Sequence, residues 1–249
     1  MHVKSLWRYP VKSLLGEELD SAGVTVAGIE GDRVYALRDG DAVLSAKRTG
    51  SLFGAAARYL DGHVEVRWPD GTTSRDGDGD LDAKLSQLSG REVVLTDRSR
   101  AGTVDIVTGP DSTTTEGPDG RFSPPRGTFF DSAPIHLLTT SSLAHLRALY
   151  PDGSVDERRF RPNIVVDTGT DAVVQEQGWI GREVSIGPVV VRVIKSCKRC
   201  VMTTHAQSEL PQDRGILKTL ARSTGNSLGV LAEVITPGIV RVNDPVTPG

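Results

Sequence analysis

Two cysteines stand three residues apart in Cys197-Lys-Arg-Cys200, at the end of a β-branched run that begins at Val189. Lys195, Lys198 and Arg199 crowd them, a setting that favours the thiolate, the form that attacks electrophiles and binds metals. Four chemistries compete for the pair. A thioredoxin-like redox couple needs C-x-x-C at a helix N-terminus in a β-α-β context, and Val201-Met-Thr-Thr204 does not open a convincing helix. A zinc site from Cys197, Cys200 and His205 lacks a second C-x-x-C or a His pair at finger spacing. Two buried structural thiols are the bland alternative, because free cysteine is often buried. The reading preferred here is one thiolate ligating a metal.

The elements that must carry this pair are strands. Short or alternating apolar runs predict strands over 3–9, 23–26, 33–37, 63–68, 92–96, 135–138, 163–167, 183–186, 189–194, 230–235 and 239–242, with a hairpin at Asp39-Gly40. Helices are expected over 81–88 and 214–222, and from Thr49 to Leu60 with Leu52, Phe53, Ala56 and Ala57 on one face and Asp61-Gly62 as its stop. Another runs to Tyr150, capped by Thr140 or Ser141, with Leu143, Leu146 and Leu149 as its core stripe. Strands outnumber helices without β-α alternation, so the fold class is mainly β (α+β). A strand-dominated barrel with peripheral helices is the expected architecture.

Gly, Pro, Ser, Thr and Asp crowd residues 99–126, marking a flexible connection between domains at 1–98 and 127–249. The acidic stretch Asp76-Gly-Asp-Gly-Asp80 is a solvated loop and not an EF-hand, since the sixth and twelfth positions hold Leu81 and Gln87. His136 and His145 are read as core or surface residues, with no second His at ligand spacing. Nucleotide-binding loops of the G-x-G-x-x-G or P-loop type do not occur.

With 29 Lys and Arg against 32 Asp and Glu, the net charge is −3, which provides no global field for a nucleic-acid partner. Lys4, Arg8, Pro10 and Lys12 interrupt the apolar N-terminus, and no run approaches 18 apolar residues, so no membrane association and a cytoplasmic location are expected.

Five ordered motifs carry a family resemblance: Tyr9-Pro-Val-Lys-Ser13 with Gly31-Asp-Arg33, Arg159-Phe-Arg-Pro-Asn-Ile-Val165, Trp179-Ile-Gly181, Cys197-Lys-Arg-Cys-Val-Met-Thr-Thr204 and Val242-Asn-Asp-Pro-Val246. The chain resembles MOSC-domain proteins that carry a MOSC N-terminal β-barrel domain. The resemblance implies an N-terminal β-barrel-like domain and a MOSC β-barrel with peripheral helices. It also implies the molybdenum cofactor (Mo-molybdopterin), as in the mitochondrial amidoxime-reducing components and their bacterial relatives, which reduce N-hydroxylated compounds. Pyridoxal phosphate binding is a further association at family level only.

Carried over residue by residue, the metal ligand and catalytic residue falls on Cys200. Cofactor contacts fall on Lys12, Ser13, Arg33, Ser132, Ala133, Arg161, Lys198 and Arg199. An anionic cofactor suits Arg and Lys charge, and a guanidinium offers a planar fork for oxygen. The implied partners are a small N-hydroxylated substrate and an external electron-donor protein, since no ferredoxin-like cysteine cluster follows Gly249. The alternative is a molybdenum cofactor carrier or sulfur-transfer protein without reductase activity. Two departures stand out: Leu231 where relatives commonly carry an aromatic, and His205-Ala-Gln-Ser-Glu-Leu-Pro211 in place of the usual turn after Thr204.

Overall fold

Valine-rich segments pair as strands because β-branched side chains suit a pleated, half-buried surface. The computed structural model describes residues 1–40, 42–97, 106–107, 121–122, 129–169 and 171–249. These form two compact units whose sequence ranges interleave. One takes Met1–Trp7, Glu18–Glu30 and Ala133–Gly249, and the other takes Arg8–Glu17 and Gly31–Ser132.

Eight strands make the main sheet of the first unit, in the order Val246–Pro248, Glu183–Ile186, Val189–Lys198, Ser227–Thr236, Ile135–Thr139, Ile164–Asp167, His2–Arg8, Glu17–Leu19. Ile135–Thr139 lies parallel to Ile164–Asp167, and the helix Thr140–Leu149 supplies the crossover that a parallel pair requires. Val189–Lys198 runs antiparallel to Ser227–Thr236, with register shifts at 190/191, 193/195 and 196/198. Such bulges re-aim side chains beside functional positions. Val189, Val191 and Val193 alternate into a core shared with Val3, Leu6 and Val230. A separate cluster of Leu143, Leu146, Phe160, Ile216, Leu220 and Leu228 seats the helix Arg214–Ser223.

The second unit holds two three-stranded sheets: Tyr35–Asp39 between Val94–Asp97 and Ala42–Val43, and His63–Arg67 between Ala56–Leu60 and Thr73–Arg75. The helix Leu81–Ser89 ends at Gly90, whose left-handed φ of 70° closes its last turn.

The mainly β class stands, but the expected barrels do not close among the described residues. The end strands of the eight-stranded sheet, Val246–Pro248 and Glu17–Leu19, do not pair with each other. The helix expected over 49–60 is a second correction. A short 3-10 turn, Gly50–Gly54, gives way to the strand Ala56–Leu60, and Thr49 makes no capping bond. Asp61 and Gly62 both adopt positive φ, 50° and 86°, so the pair read as a helix stop is the turn of a hairpin joining Ala56–Leu60 to His63–Arg67.

Thr139, one residue before the expected cap, accepts from the Ser142 amide at 3.2 Å. Leu149 is 44% exposed, and Tyr150, at i+4 from Leu146, packs on that cluster instead. The connection expected over 99–126 lies outside the described residues, apart from Ile106–Val107 and Arg121–Phe122, which pair antiparallel. No helix among the described residues is long and apolar enough to cross a membrane.

Candidate functional site

The strand Val189–Lys198 delivers Cys197 at its end, and Cys200 follows in extended conformation, φ −132° and ψ −178°, just before the 3-10 turn Val201–Thr204. The Thr203 amide and hydroxyl both donate to the Cys200 carbonyl, at 3.1 and 3.0 Å, fixing the turn behind the sulfur. With Cys197 in a strand and only one 3-10 turn after Cys200, the pair lacks the helix N-terminus of a thioredoxin couple.

Arg199 separates the two cysteines chemically. Its Nη1 donates to the Cys197 sulfur at 2.8 Å and its Nη2 to the Phe160 carbonyl at 2.6 Å, with the guanidinium 5.6 Å from the Phe160 ring centre. The Cys200 sulfur has no hydrogen-bond or ion-pair partner among the described residues. Arg199 is buried, and its Nε has no hydrogen-bond partner there. Asn226 holds the same peptide: its amide donates to the Arg199 carbonyl at 2.7 Å, and its own carbonyl accepts the Arg199 N–H at 2.9 Å. Lys198 reaches the other way and donates to the Gly225 carbonyl at 2.7 Å.

The Arg159-Phe160-Arg161 segment meets this one within the same unit. Arg159 is completely buried and donates to the carbonyls of Ser154, His205 and Pro211, at 2.7, 2.9 and 2.6 Å, and to the Ser154 hydroxyl at 2.9 Å. It therefore straps the stretch after Cys200 to the turn at Ser154. Burial holds its guanidinium below the ordinary arginine value, Asp213 and Asp156 opposing. Arg161 ends the 3-10 turn Glu157–Phe160 with φ 52°, and its carbonyl lies 3.2 Å from His136 Nδ1. His136 is thus a core histidine, and His145, 3.0 Å from the Ala172 carbonyl, a half-buried one. Ala133 belongs to this unit and brings no polar side chain.

In the other unit, Lys12 is buried and donates to the Phe129 carbonyl at 2.9 Å and to Asp131. Burial pushes its ammonium below the ordinary lysine value against the pull of Asp131, and Arg33 and Lys47 push the same way. Arg33 pairs with Asp32 and lies over the Tyr9 ring at 5.0 Å; burial pulls its value down, but Asp32, Tyr9 and Asp131 together raise it above the ordinary arginine value. The Ser13 hydroxyl accepts from the Ala46 amide at 3.0 Å. Ser132 is the last residue of this unit.

Backbone strain follows the same residues. Among the described residues seven non-glycine residues have positive φ, and Ser13 (71°), Arg33 (51°) and Arg161 (52°) are among them, as is Asn226 (64°). A left-handed non-glycine residue costs roughly 1–2 kcal/mol, and such strain clusters where function demands it.

Sequence reasoning missed Arg159 as a strap, Asn226 as a clamp, and Gln207. The last is buried in the stretch after the Cys200 turn, with both side-chain amide atoms unpartnered among the described residues. Arg159 carried a signal, since it opens the motif that contains Arg161, and Gln207 lies in the departing stretch 205–211; Asn226 carried none. Among the described residues no group of three or more His, Cys, Asp or Glu is placed to hold a metal.

The chain matches the family described as MOSC N-terminal beta barrel domain over residues 1–103 and the MOSC domain over residues 124–247, and it belongs to the MOSC-domain proteins. It is 31% identical over 136 residues to mitochondrial amidoxime-reducing component 1 of Homo sapiens, covering 47% of this chain and 37% of that protein. It is 42% identical over 74 residues to mitochondrial amidoxime reducing component 2 of Rattus norvegicus, covering 30% and 20%. The chain thus spans well under half the length of these relatives. A crystal structure of the YUAD protein from Bacillus subtilis superposes with TM-score 0.50 at 11% identity, over 98% of this chain and 92% of that one, a likeness of fold alone.

Proposed function

We propose that this chain binds the molybdenum cofactor through the Cys200 sulfur and reduces N-hydroxylated compounds with electrons from a separate protein. The observation that carries the reading is the division of labour between the cysteines: Arg199 engages Cys197, and Cys200 is left uncommitted. The donor set fits the group in its chemistry, a soft sulfur for a soft metal and an unspent, buried Arg199 N–H for an anionic or oxygen-bearing ligand. When bound, the cofactor supplies the two-electron chemistry that removes oxygen from an N–OH group.

The chain's own contribution is positioning. Thr203 fixes the peptide that bears the Cys200 sulfur, Asn226 holds the Arg199 peptide, and Arg159 ties down the stretch that follows. Arg161, Lys198, Arg199 and the Ala133 backbone are the proposed cofactor contacts in the unit that carries Cys200. Pyridoxal phosphate, an association at family level only, is not carried into the reading. A cytoplasmic setting belongs to the same proposal, although the relatives are mitochondrial by name.

The test is expression of wild type and Cys200→Ser in a host that makes the cofactor, with molybdenum analysis and turnover of an amidoxime under chemical reduction. Wild type should carry molybdenum and turn over, and Cys200→Ser should keep the fold and lose turnover. A Cys200→Ser protein of normal molybdenum content and full activity would refute the assignment. Loaded wild type that stays inert yet transfers cofactor to an apo-enzyme would establish the carrier alternative.

A further inference from the structure

The helix Arg214–Ser223 buries Ile216 and Leu220 and turns Arg214, Lys218 and Arg222 outward. At 100° per residue these three positions fall within an arc of about 80° on the side opposite the buried pair. All three are exposed and have no ion-pair or hydrogen-bond partner among the described residues. The nearby acids along the chain do not neutralise them. Asp213 is buried and spent on Gly215, Ser154 and Tyr150, and Glu209 is paired with Arg158. A chain of net charge −3 therefore carries an uncompensated triad of cations on one helix face.

That helix is joined to the thiol-bearing segment at its C-terminal end. Lys198 donates to the Gly225 carbonyl at 2.7 Å, the Arg199 N–H donates to the Asn226 carbonyl, and the Asn226 side-chain amide donates to the Arg199 carbonyl. The Asp213 amide, at the helix start, donates to the Thr204 carbonyl at 2.8 Å, on the turn that follows Cys200. Both ends of the helix are thus hydrogen-bonded to the segment that carries Cys200.

We propose that the Arg214–Lys218–Arg222 face docks the acidic face of a small electron-carrier protein. This rests on the reductase reading, which requires a donor, and it names the surface the donor uses. The carrier gives up two electrons in single steps; with two protons from solvent they convert N–OH to N–H and release one water. Charge complementarity raises the encounter rate and makes it salt-dependent, because exposed charges are screened beyond about 8 Å at physiological ionic strength.

The experiment uses the full chain loaded with cofactor, as wild type, as Arg214→Gln/Lys218→Gln/Arg222→Gln, and as the charge-matched control Arg67→Gln/Arg91→Gln/Arg182→Gln. The probes are a reduced plant-type ferredoxin and a reduced flavodoxin, both acidic, at 20 and 200 mM NaCl, with a DNA duplex as a second polyanion. Expected is a wild-type affinity for at least one carrier that falls tenfold or more with salt and tenfold or more in the helix variant. Carrier-driven turnover should fall in step, turnover under dithionite should not change, and the control should behave as wild type. Wild type that binds neither carrier, a helix variant that binds as wild type does, a control that loses as much, or DNA bound more tightly than either carrier would each overturn the proposal. Wild type inert under dithionite would instead sink the reductase reading, and the binding comparison would still decide the docking face.

Discussion

Arg199 Nη1 lies 2.8 Å from the Cys197 sulfur, donating along the strand end to the cysteine two residues before it. The same guanidinium holds the Phe160 carbonyl, so the first cysteine joins the strand Val189–Lys198 to the Arg159–Arg161 segment. Its role is structural and polar, whereas Cys200 is the residue with a sulfur to give.

Replacing Cys197 by Ser keeps an acceptor in front of Arg199. Cys197→Ser should therefore lose no more than about 1 kcal/mol of stability, the worth of one imperfect hydrogen bond. Its molybdenum content should match wild type. Denaturant unfolding and metal analysis check both, and a loss of molybdenum equal to that of Cys200→Ser would show that Cys197 shares the ligation.

Arg159 has a harsher forecast. Its guanidinium meets carbonyls and a hydroxyl and makes no ion pair with a carboxylate among the described residues, so its removal orphans several buried acceptors at once. Arg159→Met should cost about 3 kcal/mol or more, read as a lower urea midpoint. Proteolysis should then cut first in the stretch 205–211, which loses its strap. Cleavage starting elsewhere would contradict the strap.

Glu65 ties stability to pH in the other unit. Its carboxylate is buried and held below the ordinary value of 4.5, chiefly by the hydrogen bond from Arg75, with Arg58 assisting and burial opposing. A depressed folded value means that the stabilisation is complete above 4.5 and is lost as pH falls from there toward the folded value. Glu65→Gln should flatten the fall of unfolding free energy with acidification below pH 4.5 and leave a lower plateau at neutral pH. An unchanged acid slope would show that Glu65 titrates as in the unfolded chain.

Gly229 tests how tightly the neighbouring strand is held. Its φ is 79°, and an added Cβ would lie 2.3 Å from His136 Nε2 and 2.8 Å from the Leu137 carbonyl. Its amide donates to buried Glu176, and its carbonyl accepts from Gln177. Gly229→Ala combines a left-handed penalty with a clash against backbone, so it should destabilise by about 2 kcal/mol or more. Thermal unfolding near wild type would mean that the strand can shift to make room.

Legibility divided along the range of the forces. Strand 183–186 is found at its expected bounds, and the helix from Arg214 extends one residue beyond them, because alternation and period 3.6 are local signals. Strand 189–194 runs on to Lys198 because Ser227–Thr236 pairs with it, which no local pattern reports. Over 49–60 the apolar spacing suited a helix, but the Asp61-Gly62 hairpin made Ala56–Leu60 an edge partner of His63–Arg67. At the site, the motif pointed to Arg161, Arg199 and Cys200. Asn226 comes from a distant, ordinary-looking turn and Gln207 from the loop that follows Thr204, and the importance of both rests on what folds against them.

Arg161 separates strain from charge. A left-handed arginine costs roughly 1–2 kcal/mol that glycine does not pay, while glycine's greater unfolded freedom returns about 0.5–1 kcal/mol of that gain. Arg161→Gly should therefore fold within about 1 kcal/mol of wild type yet retain less molybdenum, whereas Arg161→Ala should lose both stability and molybdenum. Thermal unfolding alongside metal analysis distinguishes the two. If Arg161→Gly loses stability as Arg161→Ala does and keeps its molybdenum, the side chain serves the fold, and its backbone strain has to be explained by packing around His136 instead of by a bound anion.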